Sequence, residues 1–210
     1  MNGSTIRNRM RRHTWEREYV KIALQYALML LAAFVAGWLL PRFFSETLWQ
    51  NVYERVFFHF SPVNPQPIMQ TAYRFAKPLL ICVLAIFIFS FSSLTCLVSD
   101  GFLVYLGART GCACSVLYAF LQAMNSQTDA PLPMACFLFV LFHLLLLIGF
   151  FLFSLCMAKY SYRLRVYSKE GRTLFHPATV LMLILHTVVC AALFFLLHVL
   201  YSYGIYLLSK

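Results

Sequence analysis

Carboxylates are scarce in this chain. Its 210 residues hold seven Asp and Glu, and all charged residues together make up 11%, against roughly 25% in an average soluble domain. Mean hydropathy is +0.74 and 61% of residues are hydrophobic. A water-soluble globule of this size keeps too much surface to hide that much apolar side chain. Disorder is excluded as well, because disordered chains are poor in aromatics and this one carries 21 Phe and 12 Tyr. Nucleotide and hydrolase signatures are missing: there is no Walker A, Gly-x-Ser-x-Gly, His-Glu-x-x-His or Gly-x-Gly-x-x-Gly sequence. The acids form no pair suited to hydrolysis, since Glu16/Glu18 and Glu46/Glu54 fall on polar faces. No soluble domain boundary, internal repeat or low-complexity tract is visible. These absences exclude a soluble enzyme and leave an integral membrane protein whose first partner is the lipid bilayer.

Five apolar stretches predict an all-α membrane helix bundle in a single domain. About 20 apolar residues are needed to cross a hydrocarbon core about 30 Å thick. The spans are read at 22–40, 78–98, 101–124, 134–158 and 178–208. Pro78 stands where a first-turn proline would open the second span. The segment 101–124 is the weakest, with Arg109 and several polar residues, and could be re-entrant. Loop charge favours a full span. With a cytoplasmic N-terminus, 12 Lys and Arg then lie inside, from the basic residues 1–21, Arg109 and the cluster from Lys159 to Arg172. Five lie outside: Arg42, Arg55, Arg74, Lys77 and Lys210. That is the positive-inside pattern, with the C-terminus external. A net charge of +10 is thereby explained by headgroups, and without a basic domain no nucleic-acid partner is expected. Arg109, counted from Gly101, lies within snorkelling reach of the cytoplasmic headgroups.

The external loop 41–77 holds an amphipathic pattern. Leu48, Trp49, Val52, Tyr53, Val56, Phe57 and Phe60 recur at helical spacing. A helix is expected over 45–60, with Ser45 as N-cap. It would lie on the outer membrane surface or pack on the ends of the spans. Trp49, Tyr53 and Phe57 make it an external contact surface.

Several residues could carry function inside the membrane. Gly107 and Gly111 form Gly-x-x-x-Gly, and the ridge continues through Ser115, Ala119 and Ala123. Small residues at this spacing let a second helix approach closely, from another copy or from the same bundle. Asp100 could cap the helix that follows it or serve a proton or cation. His143 and His186 lie deep in the fourth and fifth spans, with His198 nearer the outer end. Ionisable groups at such depth are functional candidates, although a neutral His bonded to a backbone carbonyl also fits. Asp100, Arg109, His143 and His186 are the candidate polar site. The seven cysteines sit in apolar stretches, where free Cys behaves as a small hydrophobe, so no disulfide framework is expected. Cys112-x-Cys114 alone is too little for a metal site, and neither a metal nor a cofactor is expected.

The arrangement resembles the stage II sporulation protein M family. A basic N-terminus precedes the first span, an external amphipathic segment follows, and the second span runs into the Gly-rich Ser99–Gly111 segment. Gly101 and Gly107 resemble the family's Asn-Gly-x-x-x-Gly-type segment, with Asp100 in place of Asn. Pro131-Leu132-Pro133-Met134 replaces the Pro-His-Gly-like opening of the next span. The resemblance implies a non-enzymatic scaffold of the cell membrane with membrane or cell-envelope partners, as in the sporulation complexes that degrade peptidoglycan during engulfment. A homo-oligomer is compatible with it. The alternative from the residues themselves is a small permease, channel or lipid-handling protein.

Overall fold

Proline and short polar runs punctuate the apolar sequence, and the helices follow that punctuation. A computed structural model describes residues 3–57, 68–92, 94–124, 131–169 and 177–208. They form α1 (Gly3–Leu39), α2 (Glu46–Phe57), α3 (Ile68–Phe89), α4 (Thr95–Met124), α5 (Pro131–Lys169) and α6 (Pro177–Leu208). The architecture is all-α, and no strand occurs among the described residues. Among the described residues five stretches are long and apolar enough to cross a membrane: Arg17–Phe43, Ile68–Phe89, Thr95–Ala119, Cys136–Leu164 and Pro177–Gly204.

Several boundaries differ from the sequence expectation: α1 begins at Gly3, the second span ends at Phe89 and not at 98, α5 runs on to Lys169, and two starts bear on the site. The second span does not begin at Pro78. Helix α3 starts at Ile68 and carries Pro78 inside it, because a helix set among neighbours can absorb the lost backbone bond. The third span does not begin at Gly101 but at Thr95. The connection between them is a short turn rich in hydroxyls. Thr95 Oγ1 donates to the Phe89 carbonyl at 2.7 Å, and Leu94 N–H donates to Ser92 Oγ at 3.1 Å. Ser161 Oγ of α5 lies 3.0 Å from Thr95 Oγ1 and donates to the Ser92 carbonyl at 3.1 Å. These bonds satisfy the Phe89 and Ser92 carbonyls and the Leu94 N–H where the helix breaks.

Helices α3, α4, α5 and α6 form a ring in which each touches the next, and α1 lies outside it along α4. The α1–α4 pairing is parallel: Leu30 meets Gly107, Phe34 meets Gly111 and Trp38 lies beside Tyr118 with the rings tilted. Two apolar clusters fill the bundle. One gathers Tyr26, Leu79, Ile86, Leu103, Phe150 and Leu183. The other gathers Val116, Leu117, Phe139, Phe142 and Tyr201, with Trp49 and Val52 of α2 packed against it. The amphipathic helix therefore rests on the ends of the spans. Ser45 precedes it, but its Oγ pairs with Thr47 Oγ1 at 3.2 Å.

Candidate functional site

The small-residue ridge of α4 is occupied within the chain. A methyl group on Gly107 would stand 2.9 Å from the Leu30 carbonyl oxygen, and one on Gly111 would overlap the Phe34 carbonyl oxygen. Gly37 of α1 returns the contact, lying against the Ala108 carbonyl. Backbone meets backbone here, the close approach that small residues at i+4 permit. Ser115 and Ala119 continue the ridge half-buried, and the side chain of Ala123 lies outside the described residues.

The four polar candidates separate into three places. Asp100 is not a helix cap. It sits five residues inside α4, and its Oδ2 accepts a hydrogen bond from Gln25 Nε2 of α1 at 3.0 Å. Its Oδ1 is buried without a hydrogen-bond partner among the described residues. Tyr26, fully buried, brings its hydroxyl beside Ser99 and Cys96 in the same seam. His186 lies elsewhere, on α6, where Nδ1 donates to the Met182 carbonyl at 2.8 Å and the ring lies by Tyr160 of α5.

Arg109 and His143 meet in the third place, a cavity of about 30 Å³ enclosed by α3, α4, α5 and α6. That is room for about two water molecules. Its polar lining is Arg109, Thr110, His143, His198, Tyr201 and Ser202. Arg109 is exposed, whereas His198 is buried. His143 Nδ1 donates to the Phe139 carbonyl at 2.9 Å, and His198 Nδ1 to the Phe194 carbonyl at 2.7 Å. Each neutral ring is thereby fixed as the Nδ1–H tautomer, and its Nε2 carries the free lone pair. The Phe142 ring is shared by both: its centroid lies 5.2 Å from His143 and 5.0 Å from His198, with the ring planes nearly perpendicular in each pair.

Arg109 lies deeper than the sequence suggested. Counted from Thr95 it is 14 residues into the helix, roughly 21 Å from the start at 1.5 Å per residue. Ala119, the other end of the span, is ten residues away, roughly 15 Å. The shift follows directly from the earlier start of α4, and it removes Arg109 from easy reach of the headgroups on the N-terminal side. Among the described residues Arg109 has no carboxylate partner. Glu18 pairs with Lys21 at 3.1 Å, and Asp100 is held by Gln25.

His198 was legible as an intramembrane His but not as part of this site. The signal that finds it is the antiparallel register of the last two helices. Tyr160 beside His186 and Phe150 beside Phe194 bring His198 level with Phe142 and His143. Trp49 is half-buried against the bundle, and the side chains of Tyr53 and Phe57 lie outside the described residues. No group of three metal-ligating side chains forms among the described residues.

No family model matches this sequence, and neither a curated protein nor a solved structure matches it.

Proposed function

We propose that this is a non-enzymatic, multi-pass protein of the cell membrane that holds the anionic group of a lipid-like solute at Arg109, at the mouth of the small cavity in its bundle. The observation that carries the reading is Arg109. A guanidinium near the middle of a span, without a carboxylate partner among the described residues, costs roughly 2.5–3.5 kcal/mol on insertion scales. A bound anion offsets that cost, and the guanidinium offers five N–H donors in a planar fork. A cavity lined by one guanidinium, two imidazoles and no acid favours an anion over a cation. For orientation we propose a cytoplasmic N-terminus and an external C-terminus, supported by the basic residues gathered at the N-terminal end of the bundle.

The test is a thermal melt of purified protein in phosphatidylcholine nanodiscs, with and without a fraction of anionic lipid. The wild-type chain should gain several degrees from the anionic lipid and Arg109→Gln should gain none. Equal gains in both would sink the reading.

A second reading is the envelope scaffold of the sporulation type. One feature favours it. Helix α2 anchors through Trp49 and Val52 and leaves Glu46, Gln50 and Asn51 exposed, a polar face available to a membrane or cell-envelope protein. Co-purification from native membranes in mild detergent tests it. A reproducible partner lost in a Gln50→Ala, Asn51→Ala variant supports the scaffold.

A further inference from the structure

Helices α3 and α4 are joined by a tight turn, yet they touch sparingly along their lengths. Between them runs an open groove of about 680 Å³, lined almost entirely by apolar atoms. Pro78, Cys82 and Phe89 of α3 form one wall, and Val98, Gly101 and Tyr105 of α4 the other. The groove is lengthwise. From Pro78 to Phe89 the wall rises about 16 Å at 1.5 Å per residue.

Arg109 lies beyond one end of it, in the lining of the adjacent polar cavity and not in the groove wall. It follows Tyr105 by four residues and so shares its helix face. Cys82, in the opposite wall, lies close enough to feel the Arg109 charge. The apolar groove thus runs up to the polar cavity, and Arg109 marks the place where they meet. A long apolar slot ending at an unpaired cation is complementary to one kind of molecule. The geometry points to a membrane lipid bearing an acyl chain and an anionic head, with the chain along the α3–α4 groove and its carboxylate or phosphate on Arg109. This rests on the anionic-solute reading above and names the ligand class and its pose. The depth of Arg109 distinguishes such a ligand from the ordinary lipid coat. A headgroup there is roughly 15 Å or more along α4 from either end of the span, whereas a lipid in its own leaflet keeps its head at the interface.

Gly101 supplies the decisive variant. It lines the groove, and a Cβ built on it meets nothing within 4 Å. A larger side chain there fills the slot without disturbing the helix packing. The experiment is photo-crosslinking in phosphatidylcholine nanodiscs, using palmitate with a diazirine near the chain end and mapping the labelled peptides by mass spectrometry. A diazirine fatty alcohol of the same length is the neutral control. The wild-type chain should be labelled at groove residues by palmitate at least tenfold more than by the alcohol. Arg109→Gln and Gly101→Phe should each lose that excess, and Arg109→Lys should keep part of it. Equal labelling by acid and alcohol would identify coat lipid only and overturn the proposal. So would unchanged labelling in Gly101→Phe. If Gly101→Phe fails to fold, Gly101→Leu gives the same discrimination. Failure of the groove alone is distinguishable from failure of the anionic-solute reading. In the first case anionic lipid still stabilises the wild-type chain and not Arg109→Gln, while labelling ignores Gly101→Phe. In the second, Arg109→Gln behaves as wild type in both assays.

Discussion

Helix α4 meets α1 and α3 in opposite ways. Against α1 it lays Gly107, Ala108 and Gly111 on the backbone of Leu30, Phe34 and Gly37, with no side chain between. Against α3 it turns Val98, Gly101 and Tyr105, and the two helices stand apart around an open groove. The chain neighbour is the loose partner and the distant helix is the tight one. Lipid tails are as apolar as Leu, so burying apolar surface gives little drive between spans. What decides contact is shape. Small residues repeated at i+4 let backbones touch, whereas aromatic residues such as Phe102 and Tyr105 hold a neighbour away.

The contrast can be broken from the tight side first. Gly111→Leu drives a side chain into the Phe34 carbonyl, an overpacking cost of about 3 kcal/mol. It should abolish recovery of folded protein in detergent, read as loss of the monodisperse peak on size exclusion. Next is Gln25→Leu, which leaves the Asp100 carboxylate in the same seam without its donor. The expected loss is about 1.5–3 kcal/mol, as for a hydrogen bond to a charged group, read from denaturant unfolding. A smaller effect belongs to the turn that joins the loose pair. A double-mutant cycle of Thr95→Val and Ser161→Ala should give a coupling of about 0.6 kcal/mol, the average for interhelical bonds in a membrane bundle. Last, Gly101→Leu on the loose side should leave the melting temperature in lipid-free detergent unchanged. A loss there equal to that of Gly111→Leu would erase the distinction between the two faces.

Much of this was readable from composition and spacing. Hydropathy located five spans, because a run of apolar residues without charge has few other uses. The boundaries were harder. Arg74 and Lys77 interrupt the apolar run before Pro78, so the eye starts the helix at the proline, whereas α3 begins at Ile68. Ser99, Asp100 and Gly101 read as a break, but the break is the hydroxyl-lined turn before Thr95, and that displacement carries Arg109 to mid-span. The ridge at Gly107 and Gly111 was visible in the sequence, whereas its complement at Gly37 on α1 emerges only from the structure. Nothing local says that the two meet, since parallel pairing of the first and third spans is a property of the whole bundle. The cavity was the least legible part. Its lining comes from four helices, and only the register of α5 against α6 places His198 with His143.

The parallel α1–α4 seam also has a consequence for how the chain is made. Translation delivers α1 to the bilayer before α4, and the stretch from Gly37 to Gly111 takes roughly 4–15 s to synthesise at about 5–20 residues per second. For that interval the notch at Gly37 has only lipid or the insertion machinery to lie against. The contact that holds the first helix in place is therefore completed only after α3 has entered and turned back, so the N-terminal helix joins the fold late although it leaves the ribosome early.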